Sequence, residues 1–340
     1  MGDHGDSVTA NERTASAVFI ALSMLLGLAV PEISEMLFDY VFHFLFLVIV
    51  MSFCTLNANI LMVGSSVSPT TWMAMCWQMV GIPMIATLVC FMLNADFLTT
   101  AVVIATTTAG SVFASPALAN LVGLDQSMTI RKMLLSTMIM PVSLLLFGEL
   151  NGIITHKLSI FNYIQHVVYF LLLPVVLAVL YWESSPKLGE AKAKVVHRFM
   201  HWAATLTMMG FCCGMMSSLH GGGEEGFAQI VYYAVLVVVL VTTIYVVTGL
   251  LFAHLGRRRA ITLGMLAANR NVALSFALIS DVLPKDALVY VAIAQFPIFL
   301  SPIVARALQA FFAARSAKKQ SPDPSPEYDP PGREQPATTI

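Results

Sequence analysis

Long apolar stretches alternate with short polar ones along nearly the whole chain. Each stretch holds roughly 20 residues, enough to cross a hydrocarbon core of about 30 Å as an α-helix. Ten such runs can be marked: 15–30, 36–56, 70–93, 97–121 and 128–147, then 160–182, 196–218, 227–254, 260–280 and 287–312. The pattern predicts an all-α polytopic membrane protein with ten transmembrane helices. Residues 1–14 form an amino-terminal segment, and 313–340 form a tail whose six prolines predict disorder.

Composition agrees with that class. Hydrophobic residues make up 58% of the 340 and charged residues 11%, and the mean hydropathy is +0.80, a balance foreign to soluble domains. The net charge of -1 gives no reason to expect a nucleic-acid partner. Where the 18 Lys and Arg fall is more informative. With ten spans, 15 of them, among them Arg13, Arg131, Lys132, Lys187 and the Arg257-Arg258-Arg259 run, collect on the side of both termini; Lys157 and Lys285 fall on the other side. That bias predicts cytoplasmic termini, in the inner or plasma membrane. Asp3, Asp6 and Glu12 precede the first apolar run, the wrong start for a cleaved signal peptide, so the first span is expected to stay. The five cysteines lie inside apolar runs without a CxxC and read as packing residues; no cofactor or metal is expected.

One charge remains inside the membrane. Arg270 sits 11 residues from Arg259 and 11 from Asp281, roughly 16 Å from either end of its helix. An arginine at that depth costs at least about 2.5 kcal/mol and faces a protein interior or a wet cavity, which marks a function. The bland alternative is a guanidinium tied to backbone carbonyls as a packing device. Its neighbours Asn269 and Asn271 interrupt the apolar run, and Asn271 can cap a restarting helix.

Ten spans divide into halves of five, 15–147 and 148–312. An odd-numbered repeat inserts upside down, and inverted repeats place substrate sites at unwound helices in corresponding positions. The ninth span corresponds to the fourth, which carries its own break signals: Gly110, Ser111, Ser115 and Pro116. Proline disfavours helix just before it, so the fourth helix is expected to restart at Pro116 with Ser115 as its cap. Pro116 to Pro141 spans 25 residues and Asn271 to Pro297 spans 26. Two half-helix amino termini beside Arg270 would make the crossing electropositive and suited to an anion.

These features resemble the bile acid:sodium symporter family. The resemblance rests on ten spans with broken fourth and ninth helices and on three stretches: Gln78 to Pro83 in the third span; Ser115 to Asp125 with Ser136, Thr137 and Pro141; and Asn271-Val272-Ala273-Leu274. It implies a secondary transporter of organic anions working by alternating access, with Gln78, Ser115, Thr129 and Asn271 carried over as ligands. The departures matter. Where members with two sodium sites carry E-x-G-x-Q-N, this chain reads Leu266 to Asn271, with Leu266 for the glutamate and Arg270 for the glutamine. The serine-asparagine pair of the fourth helix reads Ser115-Pro116, and one hydroxyl position of the fifth reads Met133. Sodium needs oxygen ligands and a guanidinium offers none, so the resemblance implies degenerate sodium sites with Arg270 as a tethered substitute for the ion. A second reading makes Arg270 the bidentate partner of a substrate carboxylate, sulfonate or phosphate.

Two other classes stay open. A membrane sensor or scaffold could use the same fold without flux. An intramembrane enzyme would want a mid-span catalytic group, and neither HExxH nor GxSxG occurs. Asp39 and His43, four residues apart, could handle protons but read more simply as surface residues near the end of a span.

Overall fold

The computed structural model describes residues 10–55, 68–113, 115, 126–154, 159–220, 223–284 and 286–298. Within them the apolar runs fold as helices: α1 (Ala10–Ala29), α2 (Pro31–Phe38), α3 (Val41–Cys54), α4 (Pro69–Met92), α5 (Phe97–Thr108), α6 (Gln126–Leu150), α7 (Ile160–Ser184), α8 (Glu190–Met215), α9 (Gly223–Leu251), α10 (Arg257–Ala268), α11 (Val272–Leu278) and α12 (Ala287–Ile298). Among the described residues five helices, α4 and α6 to α9, are long and apolar enough to cross a membrane. The number is six if α1 and α2, bent by 107° at their junction, count as one span. Large apolar side chains such as Phe91, Leu146, Leu206 and Leu250 are exposed on the outer surface, a coat suited to lipid. These features make the chain an integral membrane protein.

One boundary differs from the sequence reading. The run 36–56 is not one helix: it starts inside α2, breaks at Asp39 and Tyr40, and resumes as α3. The bend before α2 falls at Val30, held extended (φ -128°, ψ 87°) ahead of Pro31. Asp39 therefore lies in the turn between the two helices and His43 in the first turn of α3, both exposed. In the run 97–121 the helix stops at Thr108, eight residues before the expected restart; Pro116 lies outside the described residues, as do the segment 1–9 and the tail 313–340.

The helices pack in two groups. In one, α8 lies against α1, α2 and α3, and α7 packs on α3. In the other, α4, α5 and α6 pack together, α10 lies on α9, and α10 and α11 both reach α6. Tyr290 joins α12 to the second group, stacking on Phe276 and meeting the Thr106 hydroxyl at 2.9 Å. The groups meet where α11 touches α3 and α7.

Local chemistry sets several helix starts. Ser68 caps α4 through the Thr71 N–H, with Pro69 in the first turn; Asp96 caps α5, accepting the Thr99 N–H at 3.0 Å. Partial burial pushes the Asp96 carboxyl up, but hydrogen bonds from Thr99 and Leu98 outweigh it and hold the group below its usual range. The folded-state value is depressed, so the stabilisation is complete above the unfolded carboxyl's value of about 3.9. It is lost as pH falls through the folded value. Asp96→Ala is expected to cost about 1 kcal/mol at neutral pH, with the gap to wild type closing in acid; thermal unfolding across a pH series measures it.

Candidate functional site

The two breaks anticipated in the fourth and ninth spans cross each other. At the end of α5, Ala109 turns extended (φ -61°, ψ 145°); at the end of α10, Asn269 does the same (φ -80°, ψ 93°). The strips between the half-helices pair as an antiparallel bridge, Ser111 opposite Arg270. The Val112 N–H donates to the Asn269 carbonyl at 3.0 Å and the Asn271 N–H to the Gly110 carbonyl at 2.8 Å. Unwinding a helix in lipid frees polar groups that must be satisfied within the protein, and here each strip satisfies the other. Gly110 is required by closeness: a Cβ there would lie 3.0 Å from Thr137 Cα of α6.

Side chains lock the crossing to its neighbours. Gln78 of α4, fully buried, donates to the Ser111 hydroxyl at 3.1 Å, and that hydroxyl donates to the Leu266 carbonyl at 2.9 Å. The Ser111 N–H donates to the Ser136 hydroxyl of α6 at 3.0 Å. Asn271 caps α11 as expected, its side chain accepting the Leu274 N–H.

Arg270 is 1% exposed, and its hydrogen bonds go to carbonyl oxygens. Nε donates to Ala267; Nη1 donates to Thr107 at 2.8 Å and Ala109 at 2.9 Å, with the Gln78 carbonyl farther off at 3.4 Å. These oxygens belong to the last turns of α5 and α10 and to a π-helical turn of α4. The last four carbonyls of a helix lack intrahelical partners, and each helix carboxyl end carries about half a negative charge. Two such ends face one guanidinium. The Gln78 oxygen is free for a separate reason. In the π turn Trp77–Gly81 the Ile82 N–H bonds to Trp77, and the next donor position is Pro83, which has no N–H. The same proline leaves Met79 O to the Ser143 hydroxyl, which donates to it at 2.6 Å.

The crossing thus unites Gln78, Gly110, Ser111, Asn269, Arg270 and Asn271. One predicted role changes. Ser115 is fully buried, and its hydroxyl has no partner among the described residues; the helix start it is expected to cap lies outside them. Arg270 spends three contacts on carbonyls, as in the packing alternative, and only Nη2 is left without a partner. Its bidentate fork is therefore not offered whole to a substrate. Thr129 is buried on α6, one turn from Lys132.

Lys132 is the residue the sequence reading missed. Expected among the loop charges on the side of the termini, it is instead fully buried, and among the described residues its Nζ has no hydrogen-bond partner. The charges supporting that expected orientation therefore fall from 15 to 14. The available signal was its place four residues inside the run 128–147 and one turn before Ser136, on the face that meets the crossing. Among the described residues no group of three or more His, Cys, Asp or Glu could hold a metal ion. No protein-family model and no curated protein matches this chain.

Proposed function

We propose that the chain is a secondary transporter of an organic anion, working by alternating access on a ten-span inverted repeat. In this reading Arg270 is a built-in cation, held where related transporters of the bile acid:sodium symporter type would hold a sodium ion. The observation that carries it is the seat of the guanidinium. Backbone carbonyls of Thr107, Ala109 and Gln78 converge on Nη1 and that of Ala267 on Nε, an oxygen shell of the kind a hard cation takes.

Further features support the repeat and the transport reading. The half-helices α5 and α10 each have 12 residues, and their breaks pair antiparallel. Each packing group draws on both halves of the chain, α1 to α3 with α7 and α8, and α4 to α6 with α9 to α12. Two helix groups, each drawn from both halves, are the bodies that would move against each other about a midplane site in alternating access. Unwound backbone at mid-span is tolerated where it is buried in protein or lines a cavity.

The test is anion uptake into proteoliposomes, with sodium replaced by potassium on both sides. Wild-type uptake is expected to be the same in either salt, because the cation is covalently attached. Arg270→Gln is expected to lose uptake in potassium. A sodium requirement in wild type that Arg270→Gln leaves unchanged would place the coupling ion elsewhere and end the tethered-cation reading.

A further inference from the structure

Two cations lie inside the protein at the crossing, and their surroundings differ. Arg270 faces the carboxyl ends of α5 and α10, each equivalent to about half a negative charge, and donates to three close carbonyls. Its charge is met by the fold. Lys132 is fully buried, and among the described residues its Nζ has no hydrogen-bond partner. It lies four residues before Ser136, about 6 Å along α6, and Ser136 holds the Ser111 N–H of the crossing itself. A buried ammonium is kept by natural proteins when it is paired, and an unpaired one is strongly disfavoured.

We propose that Lys132, rather than Arg270, is the counter-ion of the transported anion, and that the site takes one singly charged headgroup, a carboxylate or sulfonate. This rests on the transport reading above and names its ligand class. The charges divide in two steps. The helix ends meet Arg270, so the one further charge is the proton Lys132 takes up from water when a headgroup brings one negative charge beside it. Two further buried donors are unpartnered among the described residues, Nη2 of Arg270 at the crossing and the Ser115 hydroxyl, and a headgroup with two or three oxygens has acceptors to spare beyond the one paired with Nζ. A dianion would leave a buried negative charge in excess, so monoanions are preferred.

The experiment is thermal unfolding of the purified full chain in a neutral detergent, titrated with butyrate, benzoate, octanesulfonate and succinate. Wild type, Lys132→Met and Lys132→Arg are compared. Methionine keeps much of the side-chain shape without the charge. In the absence of anion, Lys132→Met is expected to melt at or above the wild-type temperature, because a buried polar group without a partner is gone. Wild type is expected to be stabilised by at least one monoanion and less by succinate; Lys132→Met should lose that response at least tenfold in apparent affinity, and Lys132→Arg should keep it. Anion stabilisation that survives Lys132→Met overturns this proposal and leaves the transport reading standing. Ligand-free Lys132→Met melting well below wild type also overturns it, because lysine would then be a structural partner. A wild-type protein that none of the four anions stabilises overturns both readings.

Discussion

Arg270→Met is expected to lower the melting temperature of the purified protein by on the order of 10 °C. The side chain serves the carbonyls of Thr107, Ala109 and Ala267, all inside the protein. Methionine has no donor. Each buried carbonyl left without one costs about 1–3 kcal/mol, so three cost about 3–9 kcal/mol, of which the recovered desolvation cost of the charge offsets a part. At roughly 2–4 °C per kcal/mol, the shift should be well resolved. A second loss acts in the same direction: two helix carboxyl ends face each other without a positive charge between them. Lysine in place of arginine should recover part of the loss, because an ammonium keeps the charge but lacks the planar fork that reaches both helices. A melting temperature unchanged in Arg270→Met would mean that the crossing is held by its backbone bridge alone.

The second large effect is expected far from the crossing, where α1 packs on α8. A Cβ at Gly27 would stand 2.6 Å from the Cys213 carbonyl oxygen and 3.0 Å from Cys213 Cα. Neither atom can move without the helix. On the same helix Gly214 takes up Leu37 of α2, whose carbonyl would lie 3.0 Å from an added Cβ, and Gly210 lies against the Phe44 ring. The pair Gly210 and Gly214, four apart, gives α8 the small face that lets membrane helices approach closely. Gly27→Val forces α1 away; overpacking of this kind costs about 1–3 kcal/mol. Thermal unfolding should show a drop of several degrees, set against Gly249→Ala, where the nearest atom to an added Cβ is 4.0 Å away. Equal losses in the two variants would show that the α1–α8 approach does not limit stability.

The readable part of the fold was the part written in local pattern. Apolar run length marked the helices, because hydrocarbon forces backbone polar groups to pair within the segment. The ninth-span break was legible from Asn269-Arg270-Asn271, and Asn271 caps α11 as its type predicts. The fourth-span break is legible from Gly110 and Ser111, and the helix stops just before them, at Thr108; the expected restart at Pro116 lies outside the described residues. That Gly110 lies against Thr137 is not legible, because nothing in sequence order shows which helix lies beside a glycine. The interruption at Asp39 and Tyr40 is not legible, because apolar residues continue on both sides of it.

For the site, the sequence by itself determined that a positive charge lies at mid-span, together with Gln78 and Ser111 as polar residues in apolar runs. What each one faces was decided by the tertiary structure. Arg270 points at carbonyls because two helix carboxyl ends and a proline-interrupted turn of α4 converge on it, three segments more than 160 residues apart at the extreme. Lys132 is a surface charge by sequence position and a buried one by packing. The physical reason is the same in both cases. A residue's type and spacing fix the free energy of its transfer from water, but which partners meet it inside depends on contacts between distant segments, and those exist only once the helices have packed.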